Sequence, residues 1–440
     1  MVVFVFTQVP AARAQTVCPP ASSDAFAFAS TQKQTTSLQL EPQGQNSHRL
    51  RWPQVPALTD SGLLFLNLRS EGTSAPMVRL THAQTTSVQT LNPGAAGTRA
   101  INVSAFAGLQ ANDEIAITLT NATLTSSSAT LIVFANRLPL TRPLLVVAPH
   151  PDDAEIAAFG LYADRKTTVV TVTAGNAGEF NYCQTEPDPA AHYRLKGELR
   201  AIDSVTVPWQ GGVSVFRAFN LGYFDGRLKA MFDAPKEPAK ELFVDNDDVW
   251  PYRRMNQAAL LPIARRKATW SNLVADLRAV LRKVRPAIVV APDPRLDHHK
   301  DHQMTTVALW QALQATNSRP VILLYSNHAE ADRFPWGGSG EDMPPVPWCG
   351  PPLQALGFYA HPLDAALRKR KLLALESMHD LRLPPAGQYD FHAAADDRCQ
   401  TRPGLPLAED TYLRRAVRTH EVFLTTDKPG LQALVQGFLQ

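Results

Sequence analysis

The chain has 440 residues, with 43 Lys and Arg against 40 Asp and Glu, for a formal net charge of +3. Charges scattered in near balance argue against a nucleic-acid partner, and no apolar stretch approaches the roughly 20 residues needed to cross a bilayer. Four cysteines without CxxC or CxxH spacing argue against a cysteine zinc site, and the length sets two domains as the expectation.

At the N-terminus, Met1-Val2-Val3-Phe4-Val5-Phe6 is a short apolar run, and Ala12-Arg13-Ala14 is a small-x-small cleavage pattern. Residues 1–14 therefore read as a truncated signal peptide, with Gln15 the first mature residue; the alternative is a buried N-terminal strand. Export implies a secreted or periplasmic protein, in which one pair among Cys18, Cys183, Cys349 and Cys399 can be bridged. Cys349 and Cys399 lie in loop-like, Pro-rich surroundings and are the expected pair.

Residues 15–140 are rich in Thr, Ser, Asn, Gln and Gly. Short alternating runs recur at Ser37–Leu40, Leu64–Leu68, Ile115–Leu119 and Leu131–Phe134, separated by turn signals such as Asn92-Pro93-Gly94. Period-2 patterning at this spacing predicts an antiparallel β-sandwich domain. Such a module can bind glycans or serve as a structural cap, and the cap is the preferred reading.

After Pro143 the pattern changes to strand–helix–strand. Leu144–Ala148 is continuously apolar, as expected of a strand covered on both faces. A helix from Ala154, a strand Thr168–Val172 and a helix His192–Val205 follow. Ser271–Val284 is an amphipathic helix with Leu273, Leu277, Val280, Leu281 and Val284 on one stripe, ended by Arg285-Pro286. Then come a strand Ala287–Val290, a helix from about Thr305 to Ala315, and a strand Val321–Leu324. This alternation predicts a three-layer α/β domain over residues 141–440, with a Rossmann-like, mostly parallel sheet. Residues 225–265 and 329–360 lack clear period and read as lids or binding loops, or as packed insertions. Arg368-Lys369-Arg370-Lys371 reads as one solvated helix face.

The chemistry concentrates at two strand ends. In Ala148-Pro149-His150-Pro151-Asp152-Asp153-Ala154-Glu155, His150 and Asp153 stand three apart across a strand-to-helix turn and can converge on one point. Imidazole and carboxylate are ordinary zinc ligands. Asp152 lies between them and can instead serve as a general base. The bland alternative makes one acid a helix cap, which leaves the histidine and the second acid unexplained. The second cluster, Asp297-His298-His299-Lys300-Asp301-His302, also follows an apolar strand and precedes a helix. Three histidines and two acids at a strand end favour a metal or acid/base site.

The first cluster resembles the AHPDDAE signature of the PIG-L/LmbE-like zinc-dependent N-deacetylases, and His299-Lys300-Asp301-His302 resembles their HxDH element. N-acetylglucosaminyl-phosphatidylinositol, GlcNAc-inositol and diacetylchitobiose-type deacetylases belong to that family. The resemblance extends over about residues 143–425, through Thr173-Ala174-Gly175, Gly178-Glu179, Glu198 and Glu421-Val422-Phe423. It implies Zn2+ held by His150, Asp153 and His302. It further implies Asp152 as the base for a zinc-bound water, a protonated His299 stabilising the oxyanion, and Asp301 orienting or charge-tuning His299. Arg194 is a loose match to a family arginine that contacts substrate, and His298 stands where the family usually has glycine. His328 and His379 read as surface or packing residues. The implied partner is a small molecule or glycan bearing an N-acetyl group; the residues say nothing of oligomeric state. The competing readings are an amidase on a non-sugar amide and a non-catalytic glycan-binding surface protein. A hydride-transfer enzyme is disfavoured by the HPDD turn, which is not a Gly-rich phosphate loop.

Overall fold

A computed structural model describes residues 17–178, 182–183, 185–257, 264–379, 381 and 415–440. The expected signal peptide at 1–14, Glu179 and Cys399 lie outside the described residues.

The first strands are β1 (Phe26–Phe28), β2 (Lys33–Gln39), β3 (Glu41–Gly44), β4 (Ser47–Arg51), β5 (Ser61–Ser70) and β6 (Met77–His82). They continue with β7 (Thr85–Thr90), β8 (Ala96–Asn102), β9 (Glu114–Thr120), β10 (Ala122–Leu124) and β11 (Ser128–Phe134). One sheet runs β10-β5-β11-β2 with β8 against β5; the other runs β3-β4-β9-β6-β7. Leu64, Leu66, Val78, Ile117 and Leu131 fill the space between them. In β9 every second residue is buried and the rest face water, the ordinary outcome when only one sheet face is covered.

β5 departs from that pattern. Leu64, Leu66 and Leu68 face the sandwich core, whereas Leu63 and Phe65, with Ile132 and Phe134 of β11, enter the interior of the α/β half. The Phe134 ring meets Phe28 edge-on at 4.9 Å between ring centres. The two halves thus share apolar interior.

The α/β half consists of β12 (Leu144–Ala148), α1 (Asp153–Tyr162), β13 (Thr167–Thr173), α2 (Pro189–Thr206), β14 (Ala218–Tyr223), α3 (Leu228–Asp233) and α4 (Trp250–Arg253). After these come α5 (Trp270–Val284), β15 (Ile288–Pro292), α6 (Lys300–Gln314), β16 (Val321–Tyr325), β17 (Leu353–Ala355), β18 (Gly357–Pro362), α7 (Ala365–Glu376), β19 (His420–Thr426) and α8 (Lys428–Leu439). The sheet order is β14-β13-β12-β15-β16-β19-β18. The first five strands are parallel, and β19 is antiparallel to both β16 and β18. Leu145, Val147, Val289 and Ile322 pack on one face with residues of α5, α6 and α8. Leu144, Val146, Val290 and Leu323 pack on the other with residues of α1 and α7. This makes three layers, and it explains why the strands read as unbroken apolar runs. Asp188, Thr269, Asp364 and Asp427 cap α2, α5, α7 and α8, each accepting from the backbone N–H three residues on.

Four expectations change. Cys349 is bridged to Cys18, with Cα atoms 5.6 Å apart, and not to Cys399. The bridge lies beside the parallel pairing of β1 with β17, so residues 329–360 hold the halves together instead of forming a lid. In the same segment Glu341 accepts from Thr90 N at 3.1 Å, and Asp342 N donates to Val88 O at 2.8 Å. Lys371 is not on a wet face: it is 1% exposed and its Nζ lies 2.8 Å from Glu421 Oε1. α6 starts at Lys300, about a turn before the expected start, because His299 caps it by accepting from Asp301 N at 3.3 Å.

Candidate active site

The carboxyl ends of β12, β14, β15 and β16 converge, as ligand sites in open α/β sheets require. β12 delivers His150, Asp152 and Asp153; β14 delivers Asp225; β15 delivers Asp297, His299, Asp301 and His302; β16 delivers Asn327 and His328. His302 is fully buried and Asp153 is 1% exposed.

Three donor atoms form a small triangle. Asp153 Oδ2 lies 3.4 Å from His150 Nδ1 and 3.1 Å from His302 Nε2, and the two nitrogens are 3.2 Å apart. Donors about 2.0–2.1 Å from a tetrahedral centre stand about 3.3–3.4 Å from one another, so the triangle has the size a zinc-type cation requires. The remaining atoms of these residues are tied back. His302 Nδ1 lies 2.9 Å from Asp297 Oδ2, and His150 Nε2 lies 3.2 Å from both Asp225 Oδ1 and Asp301 Oδ2. Asn327 Nδ2 donates to Asp153 Oδ1 at 2.7 Å. Carboxylates behind metal-facing imidazoles fix the tautomer and raise basicity.

The electrostatics follow from these pairings. Burial opposes charge on His302, yet Asp153 and Asp297 carry its pKa up to about 10. Burial likewise opposes charge on His150, but Asp225, Asp153 and Asp301 hold its pKa well above the ordinary value. A divalent cation must displace both protons, because only neutral imidazole ligates. With pKa values raised in the folded state, protonation competes across the neutral range and weakens as pH rises. Affinity for Zn2+, titrated against a chromophoric chelator between pH 6 and 8, is therefore expected to rise about tenfold per pH unit for each proton displaced. A pH-independent affinity would contradict this arrangement.

Asp152 occupies a left-handed position with φ of 124°, uncommon for a non-glycine residue. Its Oδ2 accepts from Arg200 Nη2 at 3.0 Å, and Arg200 also donates to Pro151 O at 2.7 Å. Burial lifts the Asp152 pKa to about 6, against the opposing pull of Arg200. Gly175, at φ of 64°, leaves room for this contact; a Cβ there would lie 2.7 Å from Arg200 Nε.

Asp301 is buried at the site; its carboxylate is bonded to His150, Gly226 N (2.6 Å) and Leu228 N (3.2 Å), while its backbone N–H donates to the His299 ring. Burial and the neighbouring His150 and His302 push the His299 pKa down to about 3. Its Nδ1 accepts from a backbone N–H, which leaves the proton on Nε2. The His299 ring centre stands 4.8 Å from that of His150 and 5.1 Å from that of His302.

Arg194 lies 3.5 Å from Glu241, and Glu198 pairs with Arg254. His379 pairs with Asp203. His328 belongs to the site, its ring centre 4.7 Å from that of His302. Arg200, Asp225 and Asn327 were not foreseen. Asp225 follows a strand that the sequence reading did not identify, interrupted as it is by Asn220 and Gly222. The usable signal was positional: each parallel strand end is a place to look for a ligand or its support.

These features define an α/β domain with a cluster of two histidines and an aspartate at the strand ends that could hold a cation. Residues 145–313 match the family model described as PIG-L: GlcNAc-PI de-N-acetylase, and this part of the chain is similar to that family. A curated relative is the 1D-myo-inositol 2-acetamido-2-deoxy-alpha-D-glucopyranoside deacetylase of Tsukamurella paurometabola, 30% identical over 186 residues. That match takes in 39% of this chain and 56% of the relative, so the chain spans little more than half the relative's length. Among solved structures, GalB, the 4-carboxy-2-hydroxymuconate hydratase from Pseudomonas putida KT2440, is similar at 14% identity, over 54% of this chain and 79% of that one. Its TM-score of 0.32 is too low to carry an argument. Among the described residues no helix is long and apolar enough to cross a membrane.

Proposed function

We propose that the chain is a zinc-dependent hydrolase that removes the N-acetyl group from an acetamido sugar or sugar conjugate. The triangle of His150 Nδ1, Asp153 Oδ2 and His302 Nε2, with separations of 3.1–3.4 Å, carries this reading. Zn2+ bound there supplies a Lewis acid that lowers the pKa of water toward roughly 7 and polarises a carbonyl.

The other residues have separable tasks. Asp152 takes a proton from the attacking water, a role suited to a carboxylate with a pKa near 6. The water oxygen bonds to the acetyl carbon. Neutral His299 donates its Nε2–H to the carbonyl oxygen as negative charge develops there. As the C–N bond breaks, Asp152 returns its proton to the leaving amine, and acetate and the free amino sugar depart. Arg200 holds Asp152 in its strained conformation. Export of the chain, with residues 1–14 removed, belongs to the same proposal. So does a capping role for residues 15–140, supported by the apolar interior they share with the α/β half.

The sugar class is supported by the name of the T. paurometabola relative. Its test is acetate release by zinc-loaded protein from N-acetylglucosamine, N-acetylglucosaminyl-inositol and diacetylchitobiose, against N-acetylcysteine conjugates. At least one sugar is expected to exceed the thiol conjugates by about tenfold or more in kcat/KM, a difference of about 1.4 kcal/mol in transition-state binding. Turnover confined to the non-sugar amides would replace the proposal with an amidase.

A further inference from the structure

We propose that His298, His328 and Asp332 form a second divalent-cation site at the rim of the pocket, separate from the His150–Asp153–His302 set. Their ligand atoms all lie within 4.8 Å of one another. Two imidazoles and a carboxylate are the donor set that binds Zn2+ and its neighbours among the transition metals.

Local geometry prepares His298 for this role. The carbonyl of His328 accepts from both the backbone N–H of His298, at 2.9 Å, and its ring Nδ1, at 2.6 Å. The ring proton is therefore on Nδ1, and Nε2 presents a lone pair. A backbone carbonyl behind a metal-facing imidazole is a common support for a ligand. His298 Nε2 faces Asp332 Oδ2 at 3.6 Å, and His328 Nδ1 lies 2.8 Å from Asp332 Oδ1. The carboxylate thus stands between the two rings, whose centres are 5.7 Å apart.

The turn that carries Asp332 is strained. Glu330 and Asp332 both take left-handed backbone conformations, with φ of 53° and 63°. Such positions cost a non-glycine residue about 1 kcal/mol or more and persist where surrounding contacts impose them. Here they turn Asp332 back toward the histidines. Unlike the inner set, this group is partly open: the side chains of His298, His328 and Asp332 are 35%, 29% and 56% exposed. A cation held there would exchange with solvent more readily than one at buried His302. His328 is also within ligand reach of Asp153 and His302, so the two sites adjoin.

The proposal does not depend on the deacetylase reading. Untagged protein is dialysed to equilibrium against buffered Zn2+ and its metal content measured. Wild type is expected to take up two equivalents, and His298→Ala and Asp332→Asn one each. His302→Ala is expected to lose the inner equivalent alone, and His298→Ala/His302→Ala both. Substitution by Co2+ gives an independent readout, as the wild-type visible absorption should resolve into two components and that of His298→Ala into one. If His298→Ala and Asp332→Asn bind as much Zn2+ as wild type, the outer site does not exist. If they lose an equivalent while His302→Ala loses none, the outer site stands and the inner one falls.

Discussion

Asp152→Asn is expected to lower kcat by about 10²–10⁴-fold, the usual contribution of a positioned general base, while its zinc content stays at the wild-type value. The two properties separate because Asp152 is not part of the donor triangle. Asn preserves the shape of the side chain and can still accept from Arg200, whose Nη2 lies 3.0 Å from Asp152 Oδ2. The left-handed backbone at φ of 124° is also as accessible to Asn as to Asp. What Asn lacks is the capacity to take and return a proton. Purified Asp152→Asn would be assayed by acetate release and its metal measured in parallel. A wild-type rate with zinc bound would remove Asp152 from the mechanism; loss of zinc together with rate would make it a structural partner of the ligands.

His302→Ala is expected to abolish inner-site binding, with a fall in Zn2+ affinity of about 100-fold or more, and to reduce acetate release to background. Truncation deletes one donor and strips Asp153 and Asp297 of the imidazole between them, at 3.1 Å and 2.9 Å. Uncompensated buried charge typically destabilises by about 3–5 kcal/mol, so a thermal melt should accompany the metal measurement. A variant that folds, binds no inner zinc and yet hydrolyses at the wild-type rate would exclude this pocket as the catalytic centre.

The sequence made some features legible because one physical signal dominated each. Leu144–Ala148 and Val321–Leu324 are apolar throughout because the sheet is covered on both faces. β9 alternates because one of its faces is wet. His150, Asp153 and His302 could be named in advance from the resemblance to the PIG-L/LmbE-like motifs, and the structure brings these three together because strand ends in an α/β sheet gather on one side. Long-range pairings were not legible. Nothing near Cys349 announces Cys18, because the partner is chosen by the β1–β17 pairing. Nothing near Asp152 announces Arg200, which reaches it from α2 across Gly175. Nothing near Asp301 announces that the start of α6 turns its carboxylate toward His150 and the Gly226 backbone. Lys371 lies in a basic run that resembles a solvated face, and only the fold shows that its Nζ is buried against Glu421.

That buried lysine leads to a consequence for how the pocket is kept in shape. Helix α1 is broken at Ala158, where φ is −142°. The amides freed by the break, those of Gly160 and Leu161, each donate at 2.8 Å to the Glu421 carboxylate on β19. Lys371 completes the clasp through the Ile156 carbonyl at 2.7 Å. The first turn of α1 carries Asp153, so a strand far along the chain clasps the helix that bears a residue of the pocket. The pocket's helix is thus anchored by the far edge of the sheet as well as by β12: Asp153 takes its own bonds from His150 N and Asn327, while the helix behind it is tied to β19.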